Sequence, residues 1–268
     1  MASLPLIKTQ AFGNDFLLVA RAHVPAGTDL PALAREVCER HRGLGADGLM
    51  LMEPTAEGAR TQLLNADGSS AEVSGNGVRC AAAWLAHERH LPIAGRLIIE
   101  TAAGAKRLEL LESNGLTFTF RAEMGPPTEL REESIDVAGT SVRCVVLRVG
   151  NPQCVVLGPV TEERLHGLAS RLAVHPFFPE GTNVELAVVE SPARVRILIW
   201  ERGVGPTEAS GTGACASAVA AAFAGGADRS VDVISPGGSQ HVEWTPETIW
   251  LTGWATVVGR CDWWGSGQ

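Results

Sequence analysis

The chain has 268 residues, 45% of them hydrophobic, which is enough for one large core or two of ordinary size. Its formal net charge of -8, with no basic cluster, argues against a nucleic-acid partner, and no apolar run approaches the roughly eighteen residues of a membrane helix. The N-terminus MASLPLIKTQ lacks the apolar core and cleavage pattern of a signal peptide, so a soluble cytoplasmic protein is expected. Six scattered cysteines, none in a C-x-x-C pair and none near a His cluster, read as buried small apolar residues rather than zinc ligands.

In chain order, PLIKTQAFGNDFLLVA predicts strand, turn, strand. DLPALAREVCERH has helical periodicity, with Asp29 as N-cap and Pro31 in the first turn. GADGLMLMEP predicts a turn and a short apolar strand, and RTQLLNADGSSAEVS a strand, an Asp-Gly turn and a strand. GNGVRCAAAWLAHERH predicts a helix that stops near Pro92, followed by strands through GRLIIETAAGAKRLELLESNGLTFTFRAEMG. The second half repeats the order. SVRCVVLRVGNPQCVVLG is strand, Gly-Asn turn, strand, and TEERLHGLASRLAVH is a helix. TNVELAVVE and RVRILIWER are strands, SGTGACASAVAAAFAGG is a helix ended by glycines, and the tail alternates apolar and polar residues.

Two landmarks recur at nearly one offset. Gly13-Asn14 and Gly150-Asn151 lie 137 residues apart, and Ser74 and Ser210, each at the centre of Glu-x-Ser-Gly-x-Gly, lie 136 apart. A duplication accounts for both: two domains of similar fold related by pseudo-twofold symmetry. The division is placed at 117/118, with residues 258–268 returning to the first lobe. S-G-x-G before an Ala-rich helix is also an anion site in physical terms. The first N–H groups of a helix lack intrahelical partners, and the macrodipole favours negative charge there. The plain reading of one copy is a Ser N-cap with glycines for the turn; two symmetric copies favour a ligand.

FGNDF, HRGLGADGL, NADGSSAEVSGNGVRC, GNPQCVV, GTNVEL, WERGVGPTEASGTGACA and SPGG span almost the whole chain. In order and spacing they resemble the diaminopimelate epimerases, within the cofactor-independent amino-acid racemases and epimerases. The resemblance implies an α/β (α+β) fold of two pseudo-symmetric domains, each a curved mixed sheet or barrel around a central helix, with the active site in the cleft between them. It implies no metal, pyridoxal phosphate or nucleotide cofactor. The implied chemistry is a two-base inversion that converts LL-diaminopimelate to the meso form for lysine and peptidoglycan precursors. One group removes the α-proton and a second returns a proton to the other face, while helix-end N–H groups stabilise the carbanionic intermediate.

The family's two bases are cysteines, and the matching positions here are Ser74 and Ser210. A thiol at a helix N-terminus ionises well below about 8.5, whereas a serine hydroxyl needs a neighbouring base. Cys80 and Cys215 lie six and five residues further along their helices, out of place to substitute. Three readings stand: an engineered chain with both bases removed, a natural homologue that only binds an amino acid, or other chemistry with serine helped by Glu72 or Glu208. Gln153 stands where the family usually has His, Gly181 where some members have Arg, and Pro206 where it usually has Glu, which leaves a racemase of another amino acid open.

The resemblance gives Asn14, Asn65, Asn151 and Asn183 as substrate contacts, Glu201 for an ammonium and Arg202 for a carboxylate, which its planar fork can bind bidentately. Gly75, Asn76, Gly211 and Thr212 would offer backbone N–H groups to the carboxylates. The plain alternatives are turn residues for the asparagines, a strand-end ion pair for Glu201-Arg202 and helix entry for the rest. Trp250, Trp254, Trp263 and Trp264 read as core or interface residues. The expected partner is a small amino acid, with no nucleic acid and no membrane; a homodimer is left open.

Overall fold

A computed structural model describes residues 3–71 and 74–265. The chain forms two compact units, one of residues up to Ala122 together with those from Gly253 onward, the other Glu123–Thr252. The sequence expectation put these divisions at 117/118 and 257/258; each falls inside a strand, where no change of composition marks it.

The first unit carries β1 (Leu4–Ala11), β2 (Asn14–Ala20), α1 (Leu30–Cys38), β3 (Gly48–Pro54), β4 (Gly58–Asn65), β5 (Ser70–Ala71), α2 (Gly75–Arg89), β6 (Arg96–Thr101), β7 (Gly104–Asn114) and most of β8 (Thr117–Gly125). The second carries β9 (Thr128–Val137), β10 (Thr140–Val149), β11 (Asn151–Leu157), α3 (Glu162–Arg164), a π-helical turn (Leu165–Ala169), α4 (Ser170–Ala173), β12 (Asn183–Ser191), β13 (Arg194–Glu201), β14 (Gly205–Thr207), α5 (Gly211–Ala220), β15 (Ser230–Ser235) and β16 (Gly238–Trp244). The long β17 (Ile249–Trp263) contributes to both.

Strand pairing reproduces the repeat seen in the sequence. In the first unit β1–β2 is antiparallel, β2–β3 parallel, β3–β4 antiparallel, β4–β6 parallel, and β6–β7 and β7–β8 antiparallel. Pairing of β17 with β1 and β8 closes eight strands into a barrel. In the second unit β10–β11, β11–β12, β12–β13, β13–β15, β15–β16 and β16–β17 follow in the same senses, and β9 extends the sheet antiparallel to β10. The short β5 and β14 pair antiparallel with β4 and β13 respectively.

Each unit packs a helix against the inner face of its strands. α2 lies against β1, β2, β4, β6 and β7, and Gly75 to Ala83 are buried without a break. α5 lies against β10 to β13, β15 and β16 with all ten residues buried. Alanine, glycine and cysteine keep both helices thin, so no polar face is needed, as expected of a helix enclosed by other elements. A second core lies on the outer face of each sheet. Ala34, Val37 and Cys38 of α1 pack with Leu17, Leu49, Leu51 and Leu64, while Leu165, Ala169 and Leu172 pack with Cys154, Val156, Val184 and Leu186. Each fully buried Leu, Val or Ile contributes about 1.5–3 kcal/mol.

Asp29 caps α1 by accepting from Ala32 N at 3.0 Å, as expected. The expected helix over TEERLHGLASRLAVH is interrupted by the π-helical turn. β9 escaped the sequence reading because TELREESIDV is mostly exposed and charged, with only Ile135 and Val137 buried. Trp254 packs against Phe12 at 4.6 Å between ring centroids, and Trp263 packs on the outer core of the first unit. Trp264 is 73% exposed. Among the described residues no helix is long and apolar enough to cross a membrane, and no group of three His, Cys, Asp or Glu could hold a metal ion.

Close backbone approach at the β4–β6 crossing gives a stability test. A Cβ on Gly58 would lie 1.9 Å from Ile98 O, a backbone atom that cannot swing away. Gly58→Ala is expected to cost about 2–4 kcal/mol, read as a lower urea midpoint. Gly259→Ala, where nothing lies within 4 Å of the added carbon, is expected to stay within about 0.5 kcal/mol.

Candidate active site

The helix start of the first unit is built from a strand exit and a serine cap. Ser74 is extended (φ -128°, ψ 121°), and its Oγ accepts from Gly77 N at 3.0 Å. That satisfies one of the orphan first-turn donors. Asn76 is 2% exposed; its Nδ2 donates to Asn14 Oδ1 at 3.4 Å, and its Oδ1 accepts from Arg79 Nη2. Asn14 stands at the β1–β2 hairpin, where Gly13 supplies the positive φ of 84° that the turn requires.

Asn14 Nδ2 donates in turn to Asp47 Oδ2 at 2.6 Å. Arg40 bridges Asp47 and Asp15, at 2.8 and 2.9 Å, and Lys8 also holds Asp15. Burial would raise the Asp15 carboxyl, but hydrogen bonds and charge from Arg40 and Lys8 hold it below its ordinary value. HRGLGADGL thus anchors the Asn14 side chain. Asn65 is tied locally, its Nδ2 donating to Ser69 Oγ at 2.9 Å. Ser74 also lines a cavity of about 250 Å³ with Met50, Arg60, Gln62, Ser70, Glu100 and Thr101 among its walls.

The second unit repeats the cap. Ser210 is extended (φ -136°, ψ 128°), its Oγ accepts from Gly213 N at 3.2 Å, and it lies 3.4 Å from Thr212 Oγ1. Ser210, Thr212 and Gly211 are all buried. Asn183 Oδ1 accepts from Arg202 N at 2.9 Å, and Arg202 Nη1 donates to Glu180 O at 2.8 Å. Arg202 is exposed and Glu201 half-buried. Asn151 Oδ1 accepts from Gln153 Nε2 at 2.6 Å. The structure therefore brings Ser74, Asn76 and Asn14 together in one unit, and Asn183 and Arg202 in the other. Glu208 is exposed, and its carbonyl accepts from Gly237 N at 2.8 Å. Glu72 lies outside the described residues.

Cys80 and Cys215 are completely buried within their helices, and burial pushes the Cys80 thiol up to about 12, so Cys80 supplies no thiolate. Residues that the sequence reading did not single out shape both ends: Arg79, Asp47 and Arg40 in the first unit, Glu185 in the second. Glu185 is fully buried, and neither carboxyl oxygen meets a side-chain or backbone donor of another described residue. Its signal in the sequence was a charge inside the apolar run NVELAVV, at the period-2 position shared with Asn183.

Burial foremost, and then the Glu201 charge, raise the Glu185 carboxyl well above its ordinary value. A folded-state value above the unfolded one means that the native state holds the extra proton. Its stabilising contribution is complete below the unfolded value near 4.5 and is lost as pH rises toward the folded value, by about 1.4 kcal/mol per pH unit within that window. Glu185→Gln is expected to match the parent's stability near pH 4.5 and to exceed it by at least about 1 kcal/mol at pH 8, measured by urea unfolding across pH. Parallel pH profiles for the two proteins would show that Glu185 is not the titrating group.

The diaminopimelate epimerase family model matches residues 6–130 and 139–258. The chain is 38% identical over 273 residues to a diaminopimelate epimerase of Moorella thermoacetica, covering 96% of this chain and 98% of that protein. It is 40% identical over 275 residues to one of Desulforudis audaxviator, with the same coverage. Among solved structures, a predicted epimerase from Pseudomonas aeruginosa superposes with a TM-score of 0.75 at 17% identity, over 98% of this chain and all of that one. A probable proline racemase from Agrobacterium radiobacter gives 0.74 at 16% identity, over 96% of this chain and 92% of its own. These distant likenesses establish the fold, an α/β architecture with a closed eight-strand barrel. With relatives of this identity matched from end to end, the chain belongs to the diaminopimelate epimerase family.

Proposed function

We propose that the protein is a cofactor-independent epimerase that inverts an α-carbon of LL-diaminopimelate to give the meso form, in the cytoplasm, with positions 74 and 210 as the proton-transfer sites. The observation that carries this is the pair of serine-capped, buried helix starts at the two positions where the family places its bases. Membership in the family and full-length relatives named for this reaction support it. In this reading the N–H groups of Gly75, Asn76, Gly211 and Thr212 bind carboxylates, as helix N-termini do. Glu201 receives the ammonium, and Asn14, Asn65, Asn151, Asn183 and Arg202 complete the substrate contacts.

Each half-cycle needs one group deprotonated and the other protonated near neutral pH. A thiol at a helix start meets both demands, because its proton affinity lies near the working pH. A serine hydroxyl stays protonated, so the Ser/Ser chain binds substrate and turns it over slowly. The second reading, a silent amino-acid-binding homologue, is favoured by one further observation. Gln153, where the family usually has His, is 1% exposed and bonded to Asn151, so a titratable group is missing there too.

Deuterium incorporation at the α-carbon and the stereoisomer ratio separate the two. The parent is expected to exchange several orders of magnitude more slowly than Ser74→Cys/Ser210→Cys, with either single change giving little net epimerisation. Binding of meso-diaminopimelate, followed by calorimetry, should persist in all four proteins. Full activity in the parent would refute the claim that serine disables a thiol mechanism. An inactive double variant that still binds would favour the silent binder.

A further inference from the structure

The two S-G-x-G helix starts share one socket and fill it with different chemistry. A Cβ on Gly77 would meet Met50 Cε at 2.9 Å and Ser74 Cβ at 3.2 Å. A Cβ on Gly213 would meet Glu185 Oε1 at 2.7 Å and Ser210 Cβ at 3.1 Å. The register makes Met50 and Glu185 counterparts. Each lies two residues beyond the first parallel pair of its strand, Phe16 with Gly48 in one unit and Gln153 with Asn183 in the other. A thioether therefore underlies the start of α2, and an unpartnered buried carboxyl underlies the start of α5.

A second difference lies on the helices themselves. Five residues after each serine stand Arg79 and Cys215. Arg79 is 0% exposed; its guanidinium reaches back to Asn76 in the first turn and lies 5.5 Å from the centre of the Phe12 ring. Guanidinium does not lose its proton in proteins, so this is a permanent buried cation, whereas the thiol side chain at 215 carries no fixed charge. Its field reaches a neighbouring thiol: burial, the foremost cause, pushes Cys80 up, the Thr9 hydroxyl and then the Arg79 charge pull it down, and the Asp15 charge opposes them.

We propose that the two pseudo-equivalent helix starts are electrostatically unequal, Arg79 favouring negative charge at position 74 and Glu185 disfavouring it at position 210, so that a thiol placed at 74 loses its proton before one placed at 210. The inference rests on the reading that these two positions exchange protons with the substrate, and it makes Arg79 and Glu185 positioning residues that act through them. Among the other described charges, Asp15 acts against Arg79 on Cys80, but Lys8 and Arg40 hold it in ion pairs. Arg60 and Glu100 line the cavity beside Ser74, but they pair with each other at 3.1 Å and are largely exposed, where water screens them. At the α5 start Glu185 from β12 lies against Gly213 and feels the charge of Glu201 from β13, and exposed Glu208 stands two residues before Ser210; Gln240 from β16 donates to Ser210 O at 3.5 Å. Glu185 supplies no positive potential in either protonation state. Ionised, it opposes an anion at position 210, and neutral, it adds no charge in favour of one.

Single cysteine reporters test this without any substrate. Ser74→Cys and Ser210→Cys are made separately in a Cys261→Ser background, since the other five cysteines are buried. Iodoacetamide alkylation is then followed against pH. The thiol at 74 is expected to titrate at least about one pH unit below the thiol at 210. Arg79→Met should move the thiol at 74 upward, Arg79→Lys should restore most of the difference, and neither should move the thiol at 210. Equal or reversed titrations would overturn the proposal, as would an Arg79→Met protein with an unchanged circular dichroism spectrum and an unmoved thiol at 74. If Arg79→Met does not fold, the order of the two reporters in the Arg79 protein decides. Lack of epimerase activity in the double cysteine variant would count against the functional reading alone and leave these titrations interpretable.

Discussion

A helix that begins inside a protein carries backbone donors into a place without water. That constraint governs both units of this chain. The starts of α2 and α5 are buried, so their first N–H groups need partners that the helix cannot provide. Ser74 and Ser210 each satisfy one such donor, on Gly77 and Gly213. The remaining first-turn donors are suited to an anion, and the macrodipole adds to their attraction. The glycines let other groups approach: Met50 and Glu185 press against Gly77 and Gly213 at distances that leave no room for a side chain.

The strands exist, in effect, to present those helix starts. Alternating antiparallel and parallel pairings wrap a sheet around each helix, and the same order of senses occurs twice. Small residues on the helices let the sheet approach from every side. Tight antiparallel turns, with two residues between paired Ala11 and Asn14 and one between Val149 and Asn151, then bring an asparagine to the start of the second strand in each repeat. In the first unit this asparagine is held from behind by Asp47, which Arg40 ties to Asp15. Such exposed ion pairs add little to stability individually; their consequence here is the orientation of an amide in a first-turn network.

Duplication supplies two similar frames but not two identical environments. A buried cation stands in one helix, and a buried acid lies against the other. Under the proposed function, which removes a proton from one face of a carbon and adds one to the opposite face, the two ends would perform different tasks at any moment. Unequal surroundings suit that division of labour. A charge in a dry interior acts more strongly than one in water, so even single buried groups such as Arg79 and Glu185 can separate the behaviour of positions that the fold makes equivalent.

The sequence by itself determined the repeat, the two capped helices, the hairpin asparagines and the family, because these rest on local chemistry: Gly-Asn turns, Ser caps and runs of alanine act within a few residues of themselves. It also puts serine at 74 and 210, the two positions that the resemblance assigns to the bases. The charged strand β9, the π-helical turn and unit divisions lying inside β8 and β17 were decided by tertiary structure, since pairing partners rather than local preference set them. The same holds for the surroundings of the site. Arg79 and Glu185 look like an ordinary helix charge and an ordinary strand charge in the sequence. Only the closing of the strands around α2 and α5 removes both from water, and burial is what strengthens the field of a charge five residues along a helix, or of one opposite a glycine on another strand.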